Sequence, residues 1–290
     1  MKETFKERRF TRKNLEKLKF CNQIIEEFAG RPITLRQLFY RLVTRNLIKN
    51  ADNEYRKLSD LVGNAREAGK IDWDIIEDRV RLRHRHSEFE SVSDLVKCAA
   101  RSFRLPRWRD QNFYIEVHTE KDAMASILLP IADKWHVHFI VNRGNGSKTF
   151  LYDTARRFIS AQDEGRQGVL FYLGDHDPSG LMMIDSIKER LERYGAENVG
   201  FRYLALTIEQ VREMNLPNNT AKGKDPRTPG YIEKFGPYCW EIDALPPDYV
   251  SAILDKEIAA LVDKRKMKRM IDRENRDRKK FEAIYCRTLK

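Results

Sequence analysis

The sequence predicts an α/β protein with a mainly parallel, Rossmann-like sheet, preceded by a smaller α+β unit of the winged-helix (helix-turn-helix) kind. Three observations carry this. Between Asn112 and Leu181, apolar runs of strand length (FYIEVH, HFIV, GVLFYL) are separated by helix-length segments, the pattern of strands joined by crossover helices. Each run ends in a polar cluster: Glu120 with Lys121, Arg143 with the Gly144–Ser147 turn, then Asp175 with Asp177. Upstream, three short helical periodicities lead into a strand-like segment, as in a helix-turn-helix with a wing.

Element by element, the first helix carries Leu15, Leu18, Cys21, Ile25 and Phe28 at helical spacing and stops at Gly30-Arg31-Pro32. Thr34 is the expected N-cap of a second helix with Leu35, Leu38, Phe39 and Leu42 inward. Arg36 and Tyr40 fall outside that stripe, one turn apart, on a more open face. A third helix over Asn53–Ala68 turns Tyr55, Leu58, Leu61, Val62 and Ala65 inward, with Gly69 ending it. Arg56, Lys57, Asn64 and Arg66 are left facing out. The wing candidate is Asp78–His86, where Arg79, Arg81, Arg83 and Arg85 alternate with Val80, Leu82 and His84. Period-two alternation puts the four guanidiniums on one side of a strand, either to contact phosphates or to keep a solvated edge from aggregating. His84 and His86 have no Cys or carboxylate at ligand spacing, so a metal there is not expected.

The domain boundaries expected are 1–90 for the winged-helix unit, 91–111 for a helical basic linker, and 112–290 for the sheet unit with a C-terminal helical extension. Val199–Leu206 reads as a further strand and Thr207–Met214 as a short helix, while residues 215–230 are rich in turn formers. From Asp263 to Lys280, ten Lys/Arg stand against four Asp/Glu, which predicts an exposed helix.

A net charge of +11 and a pI near 9.4 favour a polyanionic partner such as double-stranded DNA. No run of about 18 apolar residues exists, so no membrane span is expected. The N-terminus is basic without an apolar core behind it, so a secretory signal is not expected either. Four cysteines without paired spacing argue against a zinc cluster or disulfide framework and fit a reducing cytoplasm.

The candidate chemistry sits at the strand ends. Glu120, Asp175 and Asp177 offer hard oxygen ligands suited to Mg2+, with Mn2+ as a substitute; the Asp-x-Asp pair can equally cap the helix announced by Pro178. The turn before Lys148 is not a P-loop, because its Gly and Lys spacing is wrong. It could still present amides, with Arg143 and Lys148, to a DNA phosphate. Tyr40 is the candidate nucleophile, although a lone helical tyrosine commonly serves packing. With a phenol pKa near 10, exposing the phenolate at pH 7 costs about 4 kcal/mol, so it would need Arg36 or a metal.

Glu120-Lys121-Asp122-Ala123 after one strand, and Asp175-His176-Asp177-Pro178-Ser179-Gly180-Leu181 after another, resemble the Toprim domain of type IIB topoisomerase (topoisomerase VI) A subunits and the related meiotic double-strand-break transesterase. Thr34–Tyr40 is similar to that family's Arg-x-x-x-Tyr segment, and Glu241-Ile242-Asp243-Ala244-Leu245 to a stretch late in the same proteins. The three motifs, in the family's order, cover roughly residues 30–260. The resemblance implies Tyr40 as a nucleophile forming a phosphotyrosyl link, Arg36 helping to hold or neutralise the scissile phosphate, Lys121 as a further catalytic residue, and Mg2+ held by Glu120, Asp175 and Asp177. It further implies a homodimer making paired cuts, each Tyr working with the partner protomer's metal site, and a separate ATPase (B-type) subunit for strand passage. The chain is shorter than typical A subunits, lacks an ATPase motif, and has His176 where a small residue is commoner. It is similar to the compact, stand-alone versions found in microbes and their mobile elements, which implies a cytoplasmic, nucleoid-associated enzyme. Two rival readings stand beside this one: a Toprim nuclease that hydrolyses DNA without Tyr40, and a non-catalytic DNA-binding protein.

Overall fold

The computed structural model describes residues 2–28, 30–76, 87–142, 148–220 and 228–288, with side chains through Ala283. The first unit consists of α1 (Arg12–Glu27), α2 (Leu35–Thr44) and α3 (Asp52–Glu67). Thr11 caps α1 through Oγ1. Thr34 and Gln37 form a reciprocal capping box on α2, so two otherwise orphaned N–H groups are satisfied where the chain leaves the Pro32 turn. Leu18, Cys21, Ile24, Phe28, Leu38, Leu42, Leu58 and Val62 make one core. The α1 stripe is rotated from the expected one: Leu15 is 48% exposed and Ile24 is buried instead, because α1 meets both α2 and α3. Gly69 follows α3 at φ +66°, the left-handed position glycine adopts freely.

Arg56 and Lys57 face solvent as expected. Arg66 does not. Its guanidinium stacks 4.4 Å from the Trp73 ring and donates to the Trp73 carbonyl at 2.7 Å, since a planar cation gains more over an indole than in water. The wing candidates Arg79, Arg81, Arg83 and Arg85, with His84 and His86, lie outside the described residues, as do Arg143 and Gly144–Ser147.

After α4 (Val92–Ser102) comes a four-stranded parallel sheet, ordered β2-β1-β3-β4. Its strands are β1 (Phe113–Thr119), β2 (His138–Val141), β3 (Gln167–Leu173) and β4 (Gly200–Ala205). The crossovers contain α5 (Ala125–Trp135), α6 (Lys148–Asp163) and α7 (Pro178–Arg193). Both faces of β1 and β3 are buried, as parallel sheets require. Ile115, Val117, Phe171 and Leu173 join a core with α5 residues and with Val250 and Leu254, whereas Tyr114, Leu170 and Tyr172 join one with α6 and α7.

The chain then forms α8 (Ile208–Glu213), β5 (Asn219–Thr220), α9 (Thr228–Phe235), β6 (Tyr238–Cys239), α10 (Pro247–Leu261) and α11 (Lys264–Thr288); β5 and β6 pair antiparallel. Helix α11 is less exposed than its composition predicts. Met267, Met270 and Glu274 are buried, and Glu274 accepts from the Leu105 amide at 2.9 Å, Arg107 at 2.8 Å and Arg278 at 2.9 Å. Two linker residues and a lysine-rich helix are thereby fastened by one carboxylate. No helix among the described residues is long and apolar enough to cross a membrane.

The sheet interior also holds a charge. Glu116 accepts from Tyr114 Oη at 2.7 Å, meets His118 Nε2 at 3.0 Å, and takes Arg157 at 2.7 and 3.1 Å. Burial alone would raise its pKa, but hydrogen bonds from His118 and Arg157 outweigh it and bring the carboxyl from 4.5 to about 2. A depressed acid stabilises the fold above its unfolded pKa, and that contribution is lost as pH falls from 4.5 towards 2. Glu116→Gln is therefore expected to cost about 3 kcal/mol at pH 7, with the loss shrinking as the pH falls through that window. Melting curves of both proteins across pH check this; parallel curves would contradict it.

Candidate active site

The register of the sheet assembles the site. Thr119 pairs with Leu173, so the residues leaving β1 (Glu120, Lys121) and β3 (Gly174, Asp175) emerge side by side at the carboxyl edge, where parallel sheets collect ligands. The third contributor comes from far along the chain. His176 N donates to the Trp240 carbonyl at 2.9 Å and Trp240 N to that of His176 at 3.0 Å, which sets Glu241 and Asp243 beside Asp175. Ile242 N donates to Asp175 Oδ1 at 2.9 Å.

At the centre is Lys121. Its Nζ lies 2.8 Å from Asp175, 2.7 Å from Glu241 and 2.8 Å from Asp243. Burial works to lower its pKa, but Asp243, Asp175 and Glu241 outweigh that and hold it well above the ordinary value. Burial lifts Asp175 to about 7 against the pull of Lys121. Burial also raises Glu120, and the nearby Asp177 charge adds to that. Glu120 Oε2 is buried without a hydrogen-bond partner.

The capping alternative holds for Asp177: it is the N-cap of α7, accepting from Gly180 N at 2.6 Å. Gly180 has to be glycine, because a Cβ there would come within 2.4 Å of the Asp175 carbonyl oxygen. His176 turns away from the site. It is buried, with Nδ1 2.7 Å from Tyr231 Oη and its ring edge-on to Phe235 at 4.7 Å.

Helix α2 delivers the remaining groups. Arg36 grips Glu241 with Nε–Oε2 3.2 Å and Nη2–Oε1 2.8 Å, and Tyr40 Oη donates to Glu241 Oε1. Gln37 Nε2 donates to the Ala123 carbonyl at 3.0 Å, and Arg31 pairs with Asp248 at 2.7 Å. The expectation of an open face for Tyr40 is corrected: the residue is 6% exposed, while the Arg36 side chain remains 54% exposed. Periodicity within α2 cannot register that a segment 200 residues later packs over that face. Burial, then the hydrogen bond to Glu241, pushes the Tyr40 phenol up to about 12. Burial alone would raise Glu241, yet Lys121, Arg36 and Tyr40 bring it down to about 2.

Of the sequence candidates, Arg36, Tyr40, Lys121 and Asp175 form one connected cluster through Glu241, with Glu120 and Asp177 at its edge. Lys148 begins α6 and is exposed; Arg56 and Lys57 are on α3. Among the described residues, no three His, Cys, Asp or Glu side chains are set closely enough to hold an ion as they stand; Lys121 occupies the middle of the acidic group. A hard cation nevertheless fits the Glu120 edge chemically, where a buried carboxylate oxygen has no hydrogen-bond partner, the Asp177 charge is near enough to act on it, and the donors are all oxygen. Glu241 and Asp243 were not singled out as site residues from the sequence. Acidic residues inside the apolar run CWEIDAL are the signal, since buried carboxylates need partners. A cleft of about 880 Å³ opens between α2 and the strand ends, lined by Arg36, Tyr40, Asp175, Asp177, Asn219 and Glu241 among others.

Comparison with protein-family models, curated proteins and solved structures finds no match for this chain.

Removing the central cation should expose its role. Lys121→Met leaves Asp175, Glu241 and Asp243 facing one another without it, at an expected cost of about 3–5 kcal/mol at pH 8. Carboxylates so placed have raised folded pKa values, so the deficit grows as pH rises and shrinks towards pH 5. Urea unfolding at the two pH values checks it; an equal loss at both would count against the arrangement.

Proposed function

We propose that this chain is a Mg2+-dependent DNA transesterase, similar to topoisomerase VI A subunits, with a winged-helix unit carrying Tyr40 and a Toprim unit carrying the acidic site. What supports the reading is the convergence of Tyr40 and Arg36 on the strand-end cluster, across about 80 to 200 residues of chain; the cluster they meet is their own chain's, where the resemblance implies the partner protomer's. A phenol, a guanidinium and carboxylates lining one cleft, with an ammonium buried behind them, are the groups that phosphoryl transfer uses.

In the reaction, Tyr40 Oη attacks the phosphorus of a backbone phosphodiester. The Oη–P bond forms and the P–O bond to one sugar breaks; the leaving sugar oxygen takes up a proton and the phenol proton goes to solvent. Arg36 and Lys121 offset charge on the non-bridging oxygens. Glu120, Asp175 and Asp177 would hold Mg2+, or Mn2+ in its place, which when bound adds positive charge beside the phosphate. Paired cuts in duplex DNA need two copies of the chain, so a homodimer belongs to the proposal, as does a separate ATPase subunit for strand passage. The exposed Arg56, Lys57 and Lys148 would contact the backbone.

One observation favours a second reading. The Tyr40 phenol, raised to about 12 and donating to Glu241, is a poor nucleophile as it rests, which suits a Toprim nuclease that hydrolyses DNA without it.

Cleavage of supercoiled plasmid with Mg2+, stopped by denaturing detergent and run with and without protease, separates the two. Protein-linked breaks that vanish in Tyr40→Phe are expected. Free-ended breaks that persist in that variant would establish the nuclease. Asp175→Asn should abolish cleavage while leaving DNA affinity within about twofold; undiminished cleavage would remove Asp175 from the site.

A further inference from the structure

We infer that Arg36, Tyr40 and Lys121 form a seat for one tetrahedral phosphate of the nucleic-acid backbone, and that the Glu241 carboxylate occupies it at rest as an internal substitute. The inference rests on the reading of this cleft as a DNA-processing site.

The donors around Glu241 carry the point. Oε1 takes Arg36 Nη2 at 2.8 Å and the Tyr40 hydroxyl, with Asn219 Nδ2 at 3.5 Å. Oε2 takes Arg36 Nε at 3.2 Å, Arg36 Nη2 at 2.9 Å and Lys121 Nζ at 2.7 Å. Two cations and two neutral donors thus surround a single monoanion with two oxygens, a donor set that suits a phosphodiester's non-bridging oxygens equally well.

The two cations are not equally committed. Lys121 keeps Asp175 and Asp243 if Glu241 withdraws, so it stays neutralised in place. Arg36 has Glu241 as its ion-pair partner and is half exposed to the cleft, so it can pass from carboxylate to phosphate without desolvation. The same exchange frees the Tyr40 hydroxyl from Glu241 at the moment a phosphate arrives beside it. Glu241 precedes a turn of 3₁₀ helix, Ile242–Ala244, whose backbone is held by Asp175; the side chain can rotate while the backbone stays.

The test uses the full chain in EDTA, so that no metal or cleavage enters. Wild type, Glu241→Gln, Arg36→Gln and the double variant are titrated with inorganic phosphate, followed by melting temperature, and with a short fluorescent duplex, followed by anisotropy. Emptying the seat of its resident charge should let the duplex bind Glu241→Gln about tenfold more tightly than wild type. Phosphate should stabilise that variant more than wild type, and both gains should disappear when Arg36→Gln is added. Equal affinities for wild type and Glu241→Gln, or a gain that survives Arg36→Gln, would overturn the seat, the latter being a general effect of net charge. An Arg36-dependent gain for phosphate without one for the duplex would keep the seat and overturn DNA as its ligand, and with it the proposed function. Glu241→Asp, which keeps the charge but shortens the reach, should show the same gains at smaller size and serves if the neutral variant does not fold.

Discussion

The Lys121 ammonium, enclosed by Asp175, Glu241 and Asp243, ties together three chain segments that sheet register and the His176–Trp240 pairing bring side by side. One follows β1, one follows β3, and one lies beyond β6. Inside a protein a charge is tolerated when its counter-charges and hydrogen bonds are complete, and breaking such a set leaves uncompensated charge of the opposite sign. Here one cation answers three carboxylates, of which Glu241 is held by Arg36 as well. The outlying pair between Arg36 and Glu241 is half exposed and contributes little energy by itself; its importance is that it fixes which face of α2 meets the cluster.

That ordering of strengths explains how the site can be both built and usable. The backbone frame is rigid: Gly174 exchanges hydrogen bonds with Ala205 and Leu206, and His176 with Trp240. Gly180 brings the first turn of α7 against the Asp175 carbonyl, closer than any side chain permits. The groups on the cleft side are held by side-chain contacts alone. Tyr40, Arg36 and the Glu241 side chain can exchange partners without disturbing the sheet, which is where a substrate would have to compete.

A parallel sheet with crossover helices serves many chemistries, so the fold by itself assigns none. The functional reading comes from the site, where a shielded phenol and a guanidinium stand against buried carboxylates and an ammonium. The raised phenol of Tyr40 is a consequence of that packing. A tyrosine whose proton is held by a carboxylate is a poor nucleophile at rest, so the proposed attack requires that the carboxylate be drawn elsewhere.

Local sequence marked the first three helices, the four strands of the parallel sheet and α8, but not β5, β6 or α9. Thr34 with Gln37, Thr207 with Gln210, Pro178 after Asp177 and the left-handed Gly69 and Gly195 act within a few residues, where spacing alone carries the information. The strand-end positions of Glu120, Lys121, Asp175 and Asp177 were legible for the same reason. Burial of Tyr40, the turning of Arg66 onto Trp73, the anchoring of α11 through Glu274 and the arrival of Glu241 and Asp243 were not. The arrival of Glu241 and Asp243 follows from sheet register and the pairing of His176 with Trp240, and the others from side-chain packing between elements; a one-dimensional pattern holds no record of which distant carboxylate a lysine will meet. The surroundings of these groups were decided there, because their charge state and reach depend on neighbours that only the folded chain supplies.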